Sequence, residues 1–212
     1  PFAGIGTVLR SPYLLGIATF VVLLASVTTF LYFEQARLVE LHFPDPIDQT
    51  RVFGTLDAVV QTLAILTQLF LTGRIVRRLG LVVLLTTVPV VMVGGFLWLA
   101  VAPTFAVLAI VMVTRRAGEY ALARPGREML FTVVAPAEKY KAKNVIDTAV
   151  YRGADAVSGW VKAGIDAIAS NPAVVGVLGA GVALAWAATG FGLARAQGRR
   201  EAAGTGSQPP RG

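Results

Sequence analysis

Residues 81–113, LVVLLTTVPVVMVGGFLWLAVAPTFAVLAIVMV, decide the fold, because this stretch contains no charged residue. A helix needs about 20 apolar residues to cross the hydrocarbon core of a bilayer, so the stretch is too long for one crossing. It is interrupted at Ala102-Pro103-Thr104, where proline removes a backbone donor and favours a turn. We therefore predict two membrane spans, at about residues 81–101 and 104–122, joined by a short hairpin.

Four further apolar blocks predict spans at about residues 12–33, 52–73, 143–168 and 172–194. Only 15% of the chain is charged, whereas about a quarter is usual in a soluble domain. The predicted fold class is all-α, a polytopic membrane protein with six transmembrane helices within residues 1–195. Residues 196–212 are rich in Gly, Ser, Pro and Arg, and we expect a disordered cytoplasmic tail there. Because the chain begins at Pro1 without a signal-type segment, we also expect further sequence before it.

The basic residues predict the orientation of these spans. If the spans alternate, fifteen of the nineteen lysines and arginines fall on one side of the membrane. The positive-inside rule then places both termini in the cytoplasm, with a bacterial inner membrane as the expected location. These residues are Arg10, Arg74, Arg77, Arg78, Arg115, Arg116, Arg124, Arg127, Lys139, Lys141, Lys143, Arg195, Arg199, Arg200 and Arg211.

Several function classes find no support in the sequence. The net charge of +7 is accounted for by topology, and a nucleic-acid partner is not expected, since that would need a folded basic face with stacking aromatics. The chain has no cysteine and one histidine, His42, in a predicted outer loop. We therefore predict no metal site, no cofactor, no catalytic residue and no enzymatic activity.

The fifth predicted span carries a polar stripe. At α-helical spacing Asp147, Tyr151, Asp155 and Ser158 share one face, and Arg152 flanks it. A charge at the bilayer centre costs roughly 2.5–3.5 kcal/mol on insertion scales, so these side chains must face water, a ligand or one another. We predict that the stripe lines a cavity. The alternative is an ion-paired stripe that only locks helices together.

Other polar positions are weaker candidates for a cavity or a gate. The second span could add Asp57, Gln61 and Gln68 to the cavity, although Asp57 could also reach the interface and the glutamines could only join helices. A gating or electrostatic role is predicted for further residues, whose alternatives are a solvated helix end or surface ion pairs. These residues are Glu34, Gln35, Arg78, Arg116, Glu119 and Arg124. Arg115, Arg116, Arg124 and Arg127 would form a funnel that attracts an anion.

Two features resemble known transporters. LTGRIVRRLG, residues 71–80, resembles the Gly-x-x-x-Asp-Arg-x-Gly signature of the major facilitator superfamily, with Arg77 in place of the aspartate. FLYFEQARLV, AGEYALARPGREMLFTVV and EKYKAKNVIDTAVYRGAD resemble bacterial transporters of the ATP/ADP translocase type. The resemblance covers roughly residues 10–195. It implies the C-terminal half of a twelve-helix transporter, built as inverted three-helix repeats that face a missing six-helix half.

The resemblance implies a secondary active transporter that works by alternating access. Its expected partners are the lipid bilayer, the other half and a small solute, anionic or nucleotide-like. Asp57, Asp147 and Asp155 are candidates for ion coupling, and Arg152 for anion binding or for neutralising Asp155. The alternatives are a proton-coupled exporter of drugs or organic solutes and a membrane scaffold or sensor that transports nothing.

Overall fold

The chain is helical throughout the part that the structure describes. The computed structural model describes residues 2–67, 73–168 and 172–205, together with Leu69. These residues are 95% helical and contain no strand, which confirms the all-α expectation. The helices are α1 (Phe2–Arg10), α2 (Pro12–His42), α3 (Pro46–Thr67), α4 (Gly73–Val101), α5 (Phe105–Gly118), α6 (Arg124–Leu130), α7 (Pro136–Val145), α8 (Tyr151–Ile168) and α9 (Pro172–Thr205).

Two π-helical turns each lie between two α-helices that follow one another without a loop. Glu119–Ala123 connects α5 to α6, and Ile146–Val150 connects α7 to α8. The predicted break between the third and fourth spans is confirmed, since α4 ends at Val101 and α5 begins at Phe105. Thr104 caps α5, because its hydroxyl accepts a hydrogen bond from the Val107 amide at 3.4 Å.

Three of the described helices are long and apolar enough to cross a membrane: Pro12–His42, Gly80–Val101 and Ala173–Ala202. The last two lie within α4 and α9. The positive φ of Gly80, 68°, kinks α4 just before its apolar part begins. The other predicted spans fall on α3, α5 and α8. Of these, α5 has only 14 residues, and α8 carries four charged residues, so neither is a simple apolar span.

Helix α2 is the centre of the bundle. It packs against α5, α8 and α9, while α4 packs along α9 over most of its length. The α2–α9 contact includes the rings of Phe20 and Trp186, which are fully buried with centroids 5.5 Å apart. Apolar side chains thus fill most of the space between α2 and its neighbours, with a few buried polar groups among them.

Small residues bring α4 and α9 close together. A Cβ added to Gly176 would lie 2.6 Å from Cβ of Ala100, and one added to Gly190 would lie 2.8 Å from the Leu85 carbonyl oxygen. Glycine at these two positions therefore allows α4 and α9 to pack closely. At Gly181 an added Cβ would meet nothing within 4 Å, so that glycine is not required for the contact.

The two ends of the bundle bring together different helix termini. At one end, Tyr13 donates a hydrogen bond to the Leu130 carbonyl oxygen at 2.9 Å and lies 3.2 Å from Oε1 of Gln197. At the other end, the rings of Phe43 and Phe105 meet at 5.3 Å. The first turn of α2 therefore lies beside the ends of α6 and α9, and α2 runs opposite to α5 and α6.

Part of the segment for which we predicted a disordered tail is helical, because α9 continues to Thr205. Contacts with other parts of the chain explain the extension. Gln197 donates to Oγ1 of Thr132 at 3.4 Å and to Glu201 at 2.8 Å, and the Arg200 guanidinium lies 4.3 Å from the centroid of the Tyr13 ring. Residues 206–212 lie outside the described residues.

Candidate functional site

The polar stripe of α8 reaches neighbouring helices of the same chain. Ser158, which is 5% exposed, shares a hydrogen bond of 2.8 Å with Ser26 on α2. One turn earlier, Thr29 on α2 donates to Oδ1 of Asp155 at 3.2 Å. These two contacts run along the α2–α8 seam, so this part of the stripe faces α2.

Asp147 points to a different neighbour. Its Oδ1 lies 3.5 Å from a guanidinium nitrogen of Arg127 on α6. The sequence prediction assumed regular α-helical spacing from Asp147 to Ser158, but Ile146–Val150 is a π turn. A π turn holds more residues than an α turn, so it changes the direction of Asp147 relative to Asp155. The stripe is therefore divided between α2 and α6.

A cavity of about 550 Å³ opens beside the α2–α8 seam. This volume falls within the range of small-molecule sites. The small residues of α8 leave the space, and Gly159 is one of them: an added Cβ there would come within 3.8 Å of the Phe33 ring. The cavity is lined by Thr28, Thr29, Tyr32 and Phe33 of α2 and by Asp155, Ala156, Gly159, Trp160 and Ala163 of α8.

Three of the four arginines that we expected to form an anion funnel, Arg115, Arg116 and Arg127, are paired with carboxylates. Arg115, 4% exposed, binds Glu119 at 2.7 Å and donates to Thr28 at 2.9 Å. Arg116 of α5 forms an ion pair with Asp57 of α3, which links these two helices. The Arg124 guanidinium lies 4.9 Å from the centroid of the Tyr120 ring.

Tyr151 lies between these groups. Its phenol is half-buried and within electrostatic range of Glu119, Asp155, Arg115 and Arg127. The structure thus brings the α8 stripe next to the charged turn between α5 and α6. A buried Arg–Glu pair at this position costs desolvation that only good geometry offsets. The charged groups here neutralise one another and leave little net charge to attract a free anion.

The remaining predicted residues lie apart from the cavity. Glu34 and Gln35 are 8% and 5% exposed, so they do not form a solvated helix end; Glu34 pairs with Arg37 at 2.7 Å. Gln61 and Arg152 are exposed. Two predicted residues cannot be placed: Gln68 lies outside the described residues, as does the side chain of Arg78.

Sequence reasoning missed the aromatic part of the site. Trp160 and Phe33 were not among the predicted site residues, yet both line the cavity. The small residues Ala156, Gly159 and Ala163 recur every three to four positions, a spacing that marks one face of α8 and could have indicated this surface.

No family model, no curated protein and no solved structure matches this chain. The functional conclusion therefore depends on the geometry of the helices and on the motifs quoted above.

Proposed function

We propose that the chain forms six membrane spans and is one half of a secondary transporter, with the cavity between α2 and α8 as part of its solute pathway. The observation that carries the proposal is this cavity beside the α2–α8 seam, where the Asp155 carboxylate and the Thr28 and Thr29 hydroxyls meet aromatic rings. Intramembrane ionisable residues that face a cavity are typical of substrate and ion pathways.

The packing pattern supports an inverted repeat. The first three spans of the proposal are α2, α3 and α4, and the last three are α5, α8 and α9. In order along the chain, α2 corresponds to α5, α3 to α8 and α4 to α9. The contact between α2 and α8 then corresponds to the contact between α5 and α3, and the contact between α2 and α9 corresponds to that between α5 and α4. The contact between α4 and α9 corresponds to itself, so exchanging the two sets of three helices leaves these contacts unchanged. Since α2 and α5 also run in opposite directions, the arrangement fits the inverted three-helix repeats of transporters.

Transport in reconstituted vesicles tests the proposal. The intact protein should move a solute across the vesicle membrane, and Asp155→Asn should lower the rate by about tenfold or more, because it removes the charged group of the cavity. Asp48→Asn is the matched control, since that exposed carboxylate pairs with Arg51 at the start of α3. Equal rates for both variants and the unmodified protein would contradict the proposal.

A scaffold or sensor is the second candidate. It is favoured by the Ser26–Ser158 and Arg127–Asp147 contacts, which join helices without lining the 550 Å³ cavity. In that case substitutions along the stripe change stability while no solute moves in the vesicle experiment.

A further inference from the structure

We propose that the cavity between α2 and α8 binds an organic cation, a solute that carries an amine or quaternary ammonium group beside an apolar body. The inference deepens the proposed function and rests on it for one point, that the bound molecule is transported. It differs from the anionic or nucleotide-like solute expected from the sequence resemblance.

The charge of the cavity favours a cation. Asp155 is the one charged residue among the nine described residues that line it. Oδ1 of Asp155 accepts a hydrogen bond from Thr29, and no ion pair to this carboxylate occurs within the described part of the chain. Arg152 is within electrostatic range, yet it is exposed and does not line the cavity. A ligand ammonium group would therefore meet a carboxylate that is hydrogen-bonded to a hydroxyl and forms no ion pair within the described residues.

The aromatic rings favour the same class of ligand. Tyr32, Phe33 and Trp160 line the cavity, and the rings of Tyr32 and Phe33 meet edge-to-face with centroids 6.3 Å apart. The face of an aromatic ring attracts a cation, and tryptophan does so most strongly. Rings combined with a carboxylate are suited to quaternary ammonium groups, whereas the same faces repel the oxygens of a phosphate.

Among the described residues that line the cavity, none would offer an anion a cationic partner. Arginine is the residue that best matches phosphate and carboxylate oxygens, and the described lining contains no arginine. Arg115, Arg116 and Arg127 are each paired with a carboxylate elsewhere in the bundle.

Calorimetric titration of the intact protein with benzyltrimethylammonium chloride tests the inference, with benzyl alcohol as the neutral probe and ATP as the anionic probe. We expect the ammonium compound to bind and the other two not to bind. Asp155→Asn should weaken binding by about tenfold or more, and Trp160→Ala by about threefold to tenfold, as expected for loss of a charge partner and a ring face. Asp155→Glu keeps the charge and should retain binding, which shows that a loss in Asp155→Asn is not misfolding.

Two control variants match these changes away from the cavity. Asp48→Asn removes an exposed carboxylate, and Trp98→Ala removes a half-exposed tryptophan of α4. Both should bind the ammonium compound within about twofold of the unmodified protein. The inference is overturned if the compound does not bind, if Asp155→Asn and Trp160→Ala bind it as the controls do, or if ATP binds in a manner that Asp155→Asn abolishes.

The outcome is distinct from that of the transport experiment. If vesicles move an anionic solute and the ammonium compound does not bind, the inference fails while the transporter proposal stands. If the compound binds as described and no solute moves, the binding site stands and the transporter proposal fails.

Discussion

Asp147 and Arg127 show what a single charged pair contributes to this bundle. Their side chains are 29% and 15% exposed, and their closest atoms are 3.5 Å apart. Nε of Arg127 and Oδ1 of Asp147 are buried without a hydrogen-bond partner, so the pair compensates its own desolvation incompletely. Removing one partner would leave the other charge in a poorly hydrated place.

Asp147→Asn should therefore lower the free energy of unfolding by about 1–3 kcal/mol, less than for a fully buried pair because both side chains retain some exposure. Combining it with Arg127→Gln should recover part of the loss, since the second change removes the unpaired guanidinium. Denaturation of the purified protein in mild detergent measures both effects. Asp48→Asn is the control, and it should change the free energy of unfolding by about zero. A double variant that loses the full sum of both single losses would show that the two residues are not coupled.

The sequence could indicate that Asp147 and Asp155 need partners, but it could not assign them. Hydropathy shows that a charge within a span is costly, whichever helix relieves it. The choice of Arg127 for Asp147 depends on which helix lies next to the π turn, and the choice of Thr29 for Asp155 depends on the α2–α8 contact. Both are tertiary features without a local sequence signal.

The helices themselves were predictable in position and less so in shape. Apolar block lengths and proline placement gave the break between α4 and α5 correctly. The π turns at Glu119–Ala123 and Ile146–Val150 were not predicted, because one extra residue in a turn leaves composition and periodicity almost unchanged. The late end of α9 was missed because contacts with Tyr13 and Thr132, and not hydropathy, extend that helix.

Helix α9 offers a matched pair of glycines for testing the α4 contact. Gly176→Ala should lower the free energy of unfolding by about 1–3 kcal/mol, because the new methyl group would press on Ala100 and on the Phe96 carbonyl oxygen, which cannot move without displacing α4. Gly181→Ala should leave stability equal or raise it by up to about 1 kcal/mol, since it adds helix propensity in open space. Thermal unfolding in the same detergent compares them. Equal stability in both variants would mean that α4 and α9 are not in close contact.

The distribution of charge along the chain fits the way the helices are assembled. Arg124, Arg127, Arg195 and Arg200 belong to α6 and α9, whose ends lie together with the first turn of α2. The opposite end, where Phe43 meets Phe105, lies near Glu40, Asp45 and Asp48 in sequence. Alternation of the spans was assumed when the basic residues were assigned to one side, and the packing brings together the helix ends that alternation would place on one side. This sidedness across a membrane stays a prediction; a cavity beside the stripe was also predicted from the sequence, but its aromatic lining was not.

This sidedness leads to a labelling prediction for the membrane-inserted protein. Since these 212 residues contain no cysteine, single cysteines can be introduced without removing any from this region. Gly198→Cys lies near the end of α9, where an added side chain meets nothing within 4 Å, and Thr50→Cys lies on the exposed first turns of α3. If the arginine-rich end is cytoplasmic, as the positive-inside rule predicts, a membrane-impermeant maleimide should label Thr50→Cys in intact cells and Gly198→Cys only after permeabilisation. The reverse pattern would invert the orientation, and labelling of both positions in intact cells would mean that α9 does not return to the cytoplasmic side.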